Sequence, residues 1–506
     1  MVTPSLGPAG VSSPAVLRPQ QFSSSRASTA ADAKLARMVA VFVVLLLVGA
    51  GPAVAGAQTT GTTTPPSAAD FNLRTPPAPT IPSRPEIVFP VPPPPAARPV
   101  QLFEFHPLAG VSEEYTDNFN RTVRNRTENF RTSVSPGMSV QMDAGMLTGL
   151  ATYTISGFHD SSLDELGYFN VFAGRLSWDA TPRLKLTATG ALNQSDAPGQ
   201  ADRLGLRIER GKFTGTNGSL AADWAIDTVT VSPYYRLSLF SEEEGADTTS
   251  HTFGLSTSAT LFRIHTLTLG YEHLTSETSA SRGPGTASET NGHQFTGAFS
   301  RDVSERASVG ITGSYAFRTQ DEERPDAETD FRRWAAGVFA NYSIPGTIAL
   351  RINVGASQLT TDRSDFQPVL STSSSLSYWF GPAVVGVSFE RGYSETFAEG
   401  QNQGVVLTTG GSVALSYPFT PAFGGRVNIA YRENEFTGIG GTPTAITAGR
   451  GSTRTDKVLT GTIGVSYQIL RWLGTSLDYS YSLTDSSDVD GEIKENRVRL
   501  ALNFAF

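Results

Sequence analysis

From about Gln101 to Phe506 apolar and polar residues alternate with a period of two, segment after segment. The C-terminal segment shows it best. Val498, Leu500, Leu502, Phe504 and Phe506 share one face, and Arg497, Arg499, Ala501, Asn503 and Ala505 the other. Upstream, Leu473, Thr475, Leu477, Tyr479, Tyr481 and Leu483 alternate with Gly474, Ser476, Asp478, Ser480 and Ser482. Val229, Val231, Tyr235, Leu237 and Leu239 likewise stand against Thr230, Ser232, Tyr234, Arg236 and Ser238. Side chains of an extended chain point alternately to opposite sides, so this period specifies strands with one apolar and one polar face. The region is therefore expected to be all-β.

A soluble antiparallel sandwich alternates as well, so the connections have to decide between the two architectures. Short turns stand at Asp143, Asp179, Ser343, Phe380 and Phe419, and they take turns with longer polar stretches at His159, Ser241, Gln320 and from Thr437 to Thr455. That sorting is the up-and-down topology of a transmembrane antiparallel β-barrel, with turns on the periplasmic side and loops outside. Counting segments gives about 20 strands, and weak alternation around residues 195–225 and 278–300 makes roughly 16 or 18 equally defensible. Pro136 and Pro233 fall inside alternating runs, where a bulge would absorb the missing donor. Trp178, Tyr271, Tyr342, Trp379, Tyr467 and Trp472 stand near segment ends, as interfacial aromatic girdles require.

The preceding residues differ in kind. Met38 to Ala50 is an apolar run of about 13 residues behind Lys34 and Arg37, followed by Ala55-Gly56-Ala57; a spanning helix needs roughly 20. Residues 1–57 therefore read as a secretory signal with a long N-terminal extension, with a membrane anchor as the alternative. Residues 58–100 are dense in proline, which fixes φ and removes donors, so this stretch is expected to be a disordered periplasmic linker. The barrel is assigned to residues 101–506.

The first alternating segment contains Glu114-Tyr115-Thr116-Asp117-Asn118, and Pro136-Gly137 follows in the next. This block resembles the opening of the porin-2-like family of outer-membrane β-barrel porins. The resemblance implies a porin-like barrel, in some members associated with exopolysaccharide export. Phe504 and Phe506, at the end of the alternating segment, resemble the C-terminal signal read by the barrel assembly machinery.

Chemistry is sparse. Cysteine is absent, which excludes disulfides and thiol catalysis. His106, His159, His251, His265, His273 and His293 show no metal-ligand spacing, and neither a nucleophile elbow nor a phosphate loop occurs, so neither cofactor nor metal is expected. With a net charge of -8 and no basic cluster, a nucleic-acid partner is not expected either. The charges expected to line the lumen are Lys185, Arg236, Glu272, Arg351, Glu390, Arg432, Asp478, Arg497 and Arg499. Two roles stay open for them: setting solute selectivity, or pairing along the wall and keeping the lumen wet. Arg497 and Arg499, two residues apart on one face, are expected to form a small positive patch; the acidic stretches 242–244 and 321–323 are expected to be simply solvated loops, with sites for divalent cations bridging lipopolysaccharide as the alternative.

The expectation is thus an outer-membrane channel for polar solutes or glycans, surrounded by lipid and lipopolysaccharide, as a monomer or homotrimer. A structural or adhesive barrel with a plugged lumen is the alternative. A hydrolase with its Ser, His and Asp on different strands is a second one, because geometry rather than spacing defines a triad.

Overall fold

The computed structural model describes residues 102–197, 211–243, 247–279, 288–322, 330–361, 366–395, 405–436, 454–487 and 491–506. The signal-like and proline-rich segments lie outside the described residues. Among the described residues there is no helix. Twenty-one strands between Phe103 and Ala505 make one antiparallel sheet. The last strand, Glu492–Ala505, pairs with the first, Phe103–Thr116, from Leu108↔Ala505 to Thr116↔Arg497, so the sheet closes on itself without a free edge.

The closed wall has 20 positions, because two short strands share one of them. Asn129–Val134 and Gly137–Asp143 both lie between the first strand and Leu147–Asp160. Pro136 stands at their junction. Ser135 exchanges both backbone bonds with Gly110 at 2.9 and 2.8 Å, and the Pro136 carbonyl accepts from Ile155 N at 3.1 Å. The missing donor is thus absorbed by an interruption rather than the expected bulge. Pro233 stays within Val229–Glu242, where pairing with Phe213–Ile226 lapses between Ala221↔Tyr234 and Trp224↔Val231.

Nine tight turns of two or three residues join the strands at one end, whereas the connections at the other end run from four to 18 residues. Local chemistry explains several of the turns. In Thr181-Pro182-Arg183, Ser304-Glu305-Arg306 and Thr420-Pro421-Ala422 the hydroxyl accepts the N–H two residues on, at 3.2, 3.2 and 3.3 Å. Each of these turns sits beside a register shift. Gly346 (φ 70) and Gly381 (φ 57) supply the left-handed backbone that a hairpin turn needs.

The two faces of the sheet carry different chemistry. One bears a belt of exposed apolar side chains, among them Phe105, Val111, Leu220, Phe253, Ile311, Val338, Ile429, Ile463 and Leu500. The other is rich in Ser, Thr, Gly and Asn, and it is the inner one: Arg131 reaches Asp196, at the end of Leu184–Ser195, from this face, although the strands Leu147–Asp160 and Glu165–Thr181 stand between along the wall. Toward the long connections the belt ends in rings with polar tips. Tyr153 donates to Asn170 Oδ1 at 2.6 Å and Tyr479 to Asn496 Oδ1 at 2.7 Å, while Tyr235 and Tyr271 meet His251 Nδ1 and His293 Nδ1 at 2.8 Å each. Every one of these partners sits two residues farther along the neighbouring strand, away from the tight turns. An apolar body with its polar tip turned toward a polar row is how an aromatic ring marks a lipid–water boundary. Trp178, Tyr271, Tyr342 and Tyr467 take the outward face as expected. Trp379 does not: Tyr378 and Phe380 are exposed outside, and the alternation turns Trp379 inward.

Candidate functional site

Register places all nine charges expected to line the lumen on the inner face, and it also pairs most of them. Arg236 lies 2.6 Å from Glu272, which also accepts from Tyr234 Oη. Arg432 reaches Glu390 at 3.0 Å, and Asp478 is held by Arg426 at 2.6 Å. Glu272 and Glu390 are buried at 5% and 6% exposure, so they act on the wall rather than on a passing solute. Arg497 stands between Glu495 at 2.9 Å and Glu114 at 3.6 Å, while Arg499 donates to the Ser112 hydroxyl at 3.3 Å. The expected Arg497–Arg499 patch is therefore half neutralised: Glu495 lies two residues away on the same face, and strand closure adds Glu114, which sequence proximity does not reveal. Lys185 and Arg351 are exposed on the inner face near the tight turns.

The opening-strand block forms the seam. Glu114 faces Arg497, and Tyr115 packs outside against Phe130 with ring centroids 4.9 Å apart. Thr116 donates to Glu495 at 3.1 Å. Asp117, where the strand ends, takes both the backbone N–H and the side-chain amide of Asn496, at 2.7 and 2.6 Å. Asn118 is fully buried; it donates to the carbonyls of Thr122 and Lys494 and accepts from Thr122 N. Four of these five residues thus bind the last strand to the first, while Tyr115 packs on the second. Gly137 has no room for a side chain, since a Cβ would stand 2.7 Å from the Tyr153 carbonyl. At the other end of the seam Phe506 stacks on Trp472 at 5.7 Å, its N–H donates to the Pro107 carbonyl at 3.1 Å, and Trp472 also stacks on Phe504 at 6.2 Å.

The rim at the long connections holds groups that the alternation does not single out. Arg131 binds Asp160 through two bonds of 2.7 Å and Asp196 through bonds of 3.0 and 2.6 Å, with its guanidinium 4.4 Å from the Phe158 ring centroid. Across the barrel, Phe331, Leu359, Tyr393, Val405 and Leu407 form a buried apolar cluster, with Phe366 and Val369 packed against it. It lies where Val369–Phe380, a strand of only 12 residues, leaves its neighbours projecting beyond it. Inner-face residues are generally exposed or half-buried near the tight turns and buried toward the long connections, as Thr148 and Lys185 compare with Asp160 and Ser195. The inner face is open to solvent near the tight turns and packed toward the long connections. At the packed end, Lys212 sits 2.5 Å from Glu165, which raises its pKa above the ordinary lysine value.

Of the acidic stretches, Glu244 and Glu323 lie outside the described residues. Among the described residues no group of three or more His, Asp or Glu is placed to hold a metal ion.

Residues 378–506, which include the last six complete strands, match the family model described as "Putative beta-barrel porin 2". This agrees with the resemblance carried by the opening strand. No curated protein sequence matches the chain. Among solved structures, the siderophore receptor PirA from Pseudomonas aeruginosa is similar at 8% identity and a TM-score of 0.44, with 81% of each chain covered. OpdQ from Pseudomonas aeruginosa is 10% identical with a TM-score of 0.39, covering 79% of this chain and 97% of that one. OccAB3 from Acinetobacter baumannii is 11% identical with a TM-score of 0.36, covering 80% and 99%. Neither solute nor activity follows from these likenesses.

Proposed function

We propose that this chain is an outer-membrane pore through which small polar solutes diffuse. The observation that carries the reading is the contrast between faces: an apolar outer belt ending in aromatic rings with polar-directed tips, around an inner wall rich in hydroxyls and wet at the tight-turn end. A closed wall of 20 positions falls between porins with an aqueous channel and the larger plugged transporters. In this reading the tight turns and the seam's Phe506 lie at the periplasmic side, and Phe504 and Phe506 are the residues the barrel assembly machinery reads. The signal-like segment directs export, and the proline-rich segment is a periplasmic spacer.

Small solutes suit the wall better than glycan chains. Of the inner rings, Phe158, Phe213, Phe240 and Phe331 are buried and Trp379 is half-buried, which leaves few faces on which a sugar ring would stack. A second reading, a structural barrel closed at its outer mouth, draws on the packed rim around Arg131 and Leu359. Conductance in planar bilayers separates the two. Purified, heat-modifiable protein is expected to give discrete openings well above background; folded protein that inserts without opening would favour the closed barrel.

A further inference from the structure

We infer that the lumen favours anions, which rests on the pore reading above and names its solute class. The whole chain carries -8, so its overall charge points the other way. The inner wall differs. Between three and eleven residues from the tight-turn end of each strand, register turns nine arginines and six carboxylates inward, a surplus of three positive charges. Five of those carboxylates stand within 4 Å of an arginine, and the sixth, Asp223, accepts from the Ser232 hydroxyl at 2.6 Å.

Arg236, Arg426, Arg432 and Arg497 take those ion pairs, and three of the other five arginines stand with no carboxylate in ion-pair reach among the described residues. Arg351 is exposed, and its register neighbours are Asn341 and Ser375. Arg175 is exposed between Leu150 and Thr189. Neither has a carboxylate within ion-pair distance among the described residues. Arg499 lies opposite Asp478, but Arg426 occupies that carboxylate and Arg499 is left with a hydroxyl.

A paired charge presents a dipole whose field falls quickly, whereas an unpaired guanidinium in a channel with low-dielectric walls projects its field along the axis. It concentrates anions and repels cations, as rings of arginine or lysine do in anion pores. The carboxylates Asp143, Asp179 and Asp302 do not cancel this effect. They sit exposed at the tight turns, in contact with bulk electrolyte whose screening length is about 8 Å at physiological salt.

The test is the reversal potential of the full mature chain in a bilayer under a potassium chloride gradient. The wild type is expected to prefer chloride. The double variant Arg175→Gln/Arg351→Gln is expected to lower the chloride-to-potassium permeability ratio roughly twofold or more, and Arg175→Lys/Arg351→Lys to retain it. Each variant is first checked for heat-modifiable migration, which shows that it folds. Channels that prefer potassium, or a glutamine variant with the wild-type reversal potential, overturn the anion inference and leave the pore standing. Folded protein that conducts nothing overturns both.

Discussion

Beside the seam, the rim is fastened by charge: Arg131 holds Asp160 and Asp196 and covers the Phe158 ring. On the far side the same rim is fastened by packing, with Leu359, Val405 and Leu407 meeting over the short strand Val369–Phe380. The difference follows from the wall beneath. Around Arg131 the ladder is kept on both sides, with Glu114 and Asp160 in register, so backbone groups are already satisfied and inward side chains are free to form a polar network. Where a strand stops early, its neighbours lose a ladder partner, and two local bonds replace it: Phe366 N donates to the Leu359 carbonyl at 3.1 Å and Gln358 to the Phe366 carbonyl at 3.1 Å. Apolar side chains then exclude water from the site. A charge clamp fails abruptly when one member is lost, while a packed cluster yields in proportion to the volume removed.

The largest effect is expected for Arg131→Ala. It leaves Asp160, with a side chain 2% exposed, without its cation, and about 3–5 kcal/mol of stability should go, read as the urea midpoint of the folded barrel. Leu359→Ala comes next at about 3 kcal/mol in the same assay, with little dependence on salt; a loss as large as that of Arg131→Ala would erase the contrast between the arcs. The smallest effect belongs to the exposed Lys212–Glu165 pair at the same rim. Lys212→Met should change stability by about 0–1 kcal/mol and should matter less still in high salt. A large effect there would mean that exposure does not sort these contacts.

The face of each strand was legible because period two states it residue by residue, and the sorting of connections was legible because turn chemistry is local. What the period omits is the neighbour. Glu114 and Arg497 meet only because the first and last strands pair, and nothing local to either residue announces the other. The positive patch at Arg497 and Arg499 is halved partly on that account, and the surplus at Arg175 shows only once the register tells who neutralises whom. Trp379 differs for a smaller reason: it stands near a strand end, as a girdle residue would, but alternation with the exposed Tyr378 and Phe380 turns it inward. The Arg131 clamp is invisible in the sequence because Asp160 ends its strand inside a polar stretch that begins at His159 and reads as a loop, and Asp196 lies beyond its strand. The resemblance of the opening block pointed to the right architecture, while its physical role, holding the seam shut, needed the register.

The most direct test of the account is migration of the membrane-extracted protein on a gel, boiled and unboiled, alongside fractionation of the two membranes. A closed membrane-spanning barrel predicts a faster unboiled band in the outer-membrane fraction. A soluble periplasmic protein with identical migration before and after boiling would contradict it.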